Sequence, residues 1–206
     1  MQKHNKKYLA LGDSYTVGEA VAKEESFPYQ LQRALYAKGC YFQEPQIIAT
    51  TGWTTENLMA GIKQADLRGK YDLFTLLIGV NNQYQGLSPE NFRMEFRELL
   101  EYALSMSVKG SETCLVISIP DWGVTPFAEG RDRARIAEEI DLFNKICREE
   151  SRKLQVEFID ITGISRLAAD QADLNASDGL HPSGKMYGMW AELIAEGVCS
   201  KINSET

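Results

Sequence analysis

The segment Asp178-Gly179-Leu180-His181 places a carboxylate three residues before one of only two histidines in the chain. At that spacing a carboxylate can orient an imidazole and support its charged form, as general-base chemistry requires. The other histidine, His4, lies in a polar N-terminal stretch with no partner nearby and is expected to be simply solvated. A second segment, Gly12-Asp13-Ser14-Tyr15-Thr16-Val17-Gly18, can expose a serine hydroxyl at a sharp backbone turn. In a third, Thr51-Gly52-Trp53-Thr54-Thr55, the glycine can offer its backbone N–H without side-chain obstruction. A fourth, Gly79-Val80-Asn81-Asn82-Gln83-Tyr84, supplies an amide donor suited to a developing oxyanion. Each segment alone has an ordinary account: a capping serine, a tight turn with Thr54 capping a helix, a turn asparagine, a structural histidine. Together they supply a nucleophile, backbone or amide donors and an Asp/His pair, the set that acyl transfer uses.

Such groups work only if the fold brings them together. Short apolar runs at Lys7–Leu11, Gln46–Thr50, Leu73–Ile78, Cys114–Ile119 and Gln155–Ile159 read as strands. Several are nearly continuous in apolar residues, as strands covered on both faces must be. Helical patterns lie between them. One runs from Ser26-Phe27-Pro28 to Gly39, and one opens at Ser88-Pro89-Glu90 with a stripe of Phe92, Phe96, Leu99, Leu100, Ala103 and Leu104. Ile136, Ile140, Phe143 and Cys147 mark a further helix, and Met186, Met189, Trp190, Leu193 and Ile194 the last. The alternation predicts a three-layer α/β/α sandwich with a five-stranded parallel sheet, in one domain over residues 1–206. Ligands of such sheets bind beyond the carboxyl ends of the strands, where the four segments fall.

Composition narrows the partners. The 206 residues bury enough surface for a core without disulfides or metal. A net charge of −7 and the lack of a dense basic patch argue against nucleic acid and anionic membrane surfaces. Cys40, Cys114, Cys147 and Cys199 form no C-x-x-C pair and read as reduced structural thiols. No apolar stretch approaches a membrane span or a signal-peptide core, so a soluble, cytoplasmic protein is expected.

The four segments, in this order, resemble the SGNH hydrolases, also called GDSL esterases and lipases, from residue 8 to the final helix. The resemblance implies a flavodoxin-like sheet of strand order 2-1-3-4-5. It implies Ser14 as nucleophile, His181 as base and Asp178 as third triad member. The backbone N–H groups of Ser14 and Gly52 and the side chain of Asn81 would form the oxyanion hole. Two departures stand out: Asn82 replaces a common aspartate, and Ile48-Ala49-Thr50-Thr51 leads to Gly52 where the family often has Asn-Ala.

The leading expectation is a serine esterase acting on a small-molecule carboxylic ester through an acyl-enzyme, with no metal or cofactor. Trp53, Tyr84, Trp122 and Phe127 are expected to rim the site, lining a small acyl pocket, stacking on a sugar ring, or packing under the loops. With no long apolar lid in view, short acyl or acetyl groups are favoured. An acyl thioesterase or lysophospholipase would use the same triad; a flavodoxin-like binding domain would hold a ligand without turning it over.

Overall fold

A computed structural model describes residues 6–203, so His4 lies outside the described residues. Five parallel strands form the sheet: β1 (Tyr8–Gly12), β2 (Gln46–Ala49), β3 (Leu73–Leu77), β4 (Cys114–Ile117) and β5 (Glu157–Ile159). Their order is β2-β1-β3-β4-β5. The three central strands, Tyr-Leu-Ala-Leu-Gly, Leu-Phe-Thr-Leu-Leu and Cys-Leu-Val-Ile, are buried throughout, whereas the edge strands β2 and β5 are only partly so. Helices on both faces exclude water from the centre, which explains the continuous apolar runs. Thr75 is the polar exception in the middle of the sheet, and its hydroxyl pairs with that of Tyr8 at 2.9 Å.

The helices are α1 (Ser14–Val17), α2 (Phe27–Ala37), α3 (Thr55–Gln64), α4 (Val80–Tyr84), α5 (Pro89–Met106), α6 (Arg133–Lys153), α7 (Thr162–Arg166) and α8 (Gly184–Asn203). On one side α2 packs along α8; on the other α5 lies between α3 and α6. The expected stripes face inward: Phe92, Phe96, Leu99, Leu100 and Ala103 of α5 are fully buried, as are Trp190 and Ile194 of α8. Cys40, Cys114 and Cys147 are buried; Cys199 is half-buried, with its Sγ 3.4 Å from that of Cys40. Among the described residues no helix is long and apolar enough to cross a membrane.

Two local expectations differ from the structure for identifiable reasons. Ser26 occupies the position before α2, but its hydroxyl donates to the Lys23 carbonyl of the preceding 3₁₀ turn instead of capping the helix. Strand five starts at Glu157, not Gln155, because α6 takes residues 154–156 for its own closure. Val156 N–H returns to the Ser151 carbonyl at 2.9 Å while Gln155 adopts φ +58°.

Candidate active site

All four segments meet at the carboxyl edge of the sheet. The end of β1 delivers Ser14, the first residue of α1. Gly12 is needed there because the chain doubles back closely: a Cβ would stand 2.1 Å from Thr16 Oγ1 and 2.3 Å from the Leu77 carbonyl oxygen. Asp13 caps α1, its Oδ1 accepting from Tyr15 N–H at 3.0 Å. The loop before α8 supplies the other partners. His181 Nε2 lies 3.0 Å from Ser14 Oγ, and its Nδ1 lies 2.5 Å from Asp178 Oδ2.

Asp178 is itself oriented locally. Its Oδ1 accepts from the N–H groups of Leu180 and His181, both at 3.0 Å. Partial burial raises its pKa, but the His181 ring and these two N–H groups outweigh that and hold it below the usual carboxylate range. An acceptor-only carboxylate on Nδ1 places the ring proton there and leaves Nε2 free to take a proton from the serine. The Tyr15 ring packs beside the imidazole, with centroids 5.3 Å apart.

The donors come from two further strand ends. Gly52 follows β2 with φ +86° and open space where a Cβ would stand, so glycine is needed for conformation and not for room. Thr54 also caps α3, accepting from Asn57 N–H, so turn, cap and donor functions coexist in one segment. Among the described residues, neither Ser14 N–H nor Gly52 N–H donates to a protein acceptor. Asn81, in α4 after β3, donates one amide hydrogen to the Trp53 carbonyl at 2.9 Å, leaving the other available. Its neighbour Asn82 serves a different purpose. Buried Asn82 accepts from Thr55 N–H at 3.1 Å and donates to Thr55 Oγ1 at 2.7 Å, and the Thr55 hydroxyl bonds Glu95. The amide thus clamps the start of α3 to α4, a job that calls on its donor as well as its acceptor.

A cavity of about 200 Å³ is lined by the polar set Ser14, Gly52, Asn81 and His181 and by the aromatic set Tyr84, Trp122 and Phe127. Val80 and Leu180 add apolar surface. Trp53 does not join them, contrary to expectation. Its ring lies over Gly61 of α3, where a Cβ would come within 2.2 Å, and only its backbone carbonyl reaches the site, through Asn81.

The aromatic wall depends on residues that the sequence reading did not single out. Trp122 Nε1 donates to Gln83 Oε1, and Gln83 Nε2 donates to Glu139, both at 2.8 Å. Asp121 fixes the loop after β4 by accepting from Gly123 N–H and from Arg166 Nε, both at 2.9 Å. Arg131 lies over Tyr84, Trp122 and Phe127 at 5.3, 5.3 and 5.0 Å from the ring centroids. The polar cluster Asn81-Asn82-Gln83 was a signal for Gln83; Arg131 had none, because it reaches the wall from the far end of the loop after β4.

Residues 10–189 match the GDSL-like lipase/acylhydrolase family, and the chain belongs to that family. No curated protein sequence matches it. Among solved structures it is similar to the lipase/acylhydrolase from Enterococcus faecalis, with 23% identity, 98% of this chain and 99% of that one covered, and a TM-score of 0.71. It is also similar to Axe2, an acetylxylan esterase from Geobacillus stearothermophilus, at 16% identity, 100% and 98% coverage and TM-score 0.69. The acetyl xylan esterase AlAXEase gives 17% identity, 93% and 99% coverage and TM-score 0.72. At these identities the structural likeness establishes the SGNH-type α/β/α fold.

Proposed function

We propose that the protein is a serine carboxylic ester hydrolase that acts on short acyl or acetyl esters through an acyl-enzyme. The observation that carries this reading is the continuous chain Ser14 Oγ, His181, Asp178, with contacts of 3.0 and 2.5 Å. His181 Nε2 takes the Ser14 proton as Oγ attacks the ester carbonyl carbon. The resulting oxyanion accepts from Ser14 N–H, Gly52 N–H and the spare Asn81 hydrogen. Collapse breaks the bond to the alcohol oxygen, which leaves with the proton held by His181. Water then gives a proton to His181, attacks the acyl carbon and releases the acid, and Ser14 recovers its proton. Asp178 stays ionised throughout and stabilises the imidazolium.

The short-acyl preference rests on the small cavity and its fixed aromatic wall, and the acetylxylan esterases among the structural relatives fit it. A fluorophosphonate probe should label Ser14, and Ser14→Ala should lose labelling and nearly all hydrolysis of p-nitrophenyl acetate. Wild-type turnover in that variant sinks the mechanism. Across esters from C2 to C12 the rate should peak among the shortest; a peak at C10 or beyond contradicts the acyl preference.

A further inference from the structure

Among the described residues six arginines reach carboxylates at 2.7–2.9 Å: Arg68, Arg93, Arg97, Arg135, Arg148 and Arg166. Arg131 does not, for no carboxylate of the described residues lies within ion-pair distance of it. It is held instead by the faces of Tyr84, Trp122 and Phe127 and by one long hydrogen bond to the Tyr84 hydroxyl, 3.3 Å. Those same three rings wall the cavity that contains Ser14 and His181. The rings fix the charge through their quadrupoles but satisfy few of its five N–H donors. On a protein of net charge −7, Arg131 is an exposed cation without a carboxylate partner, stacked on rings that line the catalytic cavity; in its groove Arg135 is paired with Glu139, and Asp132 is the adjacent residue.

We propose that Arg131 is the anion-recognising end of the substrate site, so that the substrates are esters bearing a compact anionic group, carboxylate or phosphate, on the part that lies along the aromatic wall. This rests on the esterase reading above. The apolar wall takes the body of the substrate, and the planar guanidinium, pre-oriented by stacking, offers its remaining N–H groups to two oxygens at once. A neutral ester would bind the same wall without that contact. Tyr84 and Trp122 also line a neighbouring groove together with Arg131, Asp132, Arg135 and Glu139, so the cavity and the cation share these two rings.

The test compares kcat/KM for three acetyl esters of similar size: 4-acetoxybenzoate, 4-acetoxyphenyl phosphate and neutral 4-acetoxybenzamide. Arg131→Gln should lower kcat/KM on the preferred anionic ester about 5–10-fold more than on the amide. Arg131→Lys, which keeps charge but not the fork, should recover part of that difference, and added salt should shrink it in the wild type. The benzoate and phosphate arms tell the two oxyanions apart. An equal change on all three esters, as expected if Arg131 merely props the rings, overturns the proposal. So does no change at all. If the wild type cleaves none of the three and Ser14 resists fluorophosphonate, the esterase reading fails first and takes the proposal with it.

Discussion

The two walls of the cavity are built in opposite ways. On the wall carrying Ser14, Gly52, Asn81 and His181, the fold brings Ser14 and His181 together across 167 positions, but each is oriented by a carboxylate close to it in sequence. Asp178 orients His181 from three residues away, and Asp13 caps the helix that starts at Ser14. The wall of Tyr84, Trp122 and Phe127 is assembled from afar: Gln83 reaches Trp122 across 39 positions, and Arg166 reaches Asp121 across 45. Local geometry fixes reacting atoms within a hydrogen-bond length, while long-range contacts shape a surface that can vary without disturbing them. In the proposed reading, chemistry and substrate choice thereby fall on separable parts of the molecule.

That separation is broken most directly on the first wall. In the proposed mechanism His181 is the base, so His181→Ala should lower kcat/KM by on the order of 10⁴–10⁶ on every ester alike. Ester-dependent losses would show that the two walls are not independent. If Asn81 donates to the oxyanion as proposed, Asn81→Ala should cost about 10²–10³ in kcat with KM nearly unchanged. Because Asn81 also holds the Trp53 carbonyl, a fall in thermal stability with unaltered kcat would assign the residue to the turn alone.

A third prediction concerns stability, again on the local wall. Asp13 is fully buried, and its Oδ2 has no partner among the described residues. Burial pushes its pKa up to about 7, against the opposing pull of the Tyr15 N–H. Since the folded state binds this proton more tightly than the unfolded chain does, this group's contribution to stability is largest below the ordinary aspartate pKa. It declines as pH rises towards 7 and stays low above that. The decline amounts to on the order of 4 kcal/mol, about a thousandfold in the folding constant. Asp13→Asn keeps the cap acceptor and cannot ionise, so urea titrations between about pH 4 and 8 should show a smaller fall for the variant. Equal slopes would show that Asp13 reaches water or a partner when charged.

How much of this was legible follows from the same contrast. The central strands and the meeting of Ser14, Gly52, Asn81, Asp178 and His181 at one edge could be anticipated, because apolar runs and short motifs record local constraints; the sheet order came only from the family resemblance those motifs carry. Tyr84, Trp122 and Phe127 were placed at the rim by their position in loops after strands. Trp53 was misplaced by the same reasoning, since nothing in Thr51–Thr55 reveals that Gly61, on the following helix, leaves a slot for an indole. The clamp from Asn82 to Thr55 and the bridge from Gln83 to Glu139 join residues 27 and 56 positions apart, and no spacing rule reaches that far. The start of β5 was displaced for a related reason: the closure of α6 uses residues whose apolar character alone suggests a strand.

The smallest effect should come from the distant wall, where it sharpens the contrast best. Gln83 joins Trp122 to Glu139 and touches no reacting atom among the catalytic residues. Gln83→Leu fills similar volume but leaves the buried Trp122 N–H unpaired, at a cost of about 1–3 kcal/mol to stability or to the indole's position. If the wall sets only substrate fit, KM for aryl acetates should rise roughly 3–10-fold while kcat stays within about twofold. Gln83→Glu separates packing from charge, because a carboxylate facing Glu139 should loosen the loop further as pH rises and both groups ionise. A large fall in kcat with KM unchanged would show that the indole's orientation is transmitted to Ser14 or His181, and that the two walls act as one.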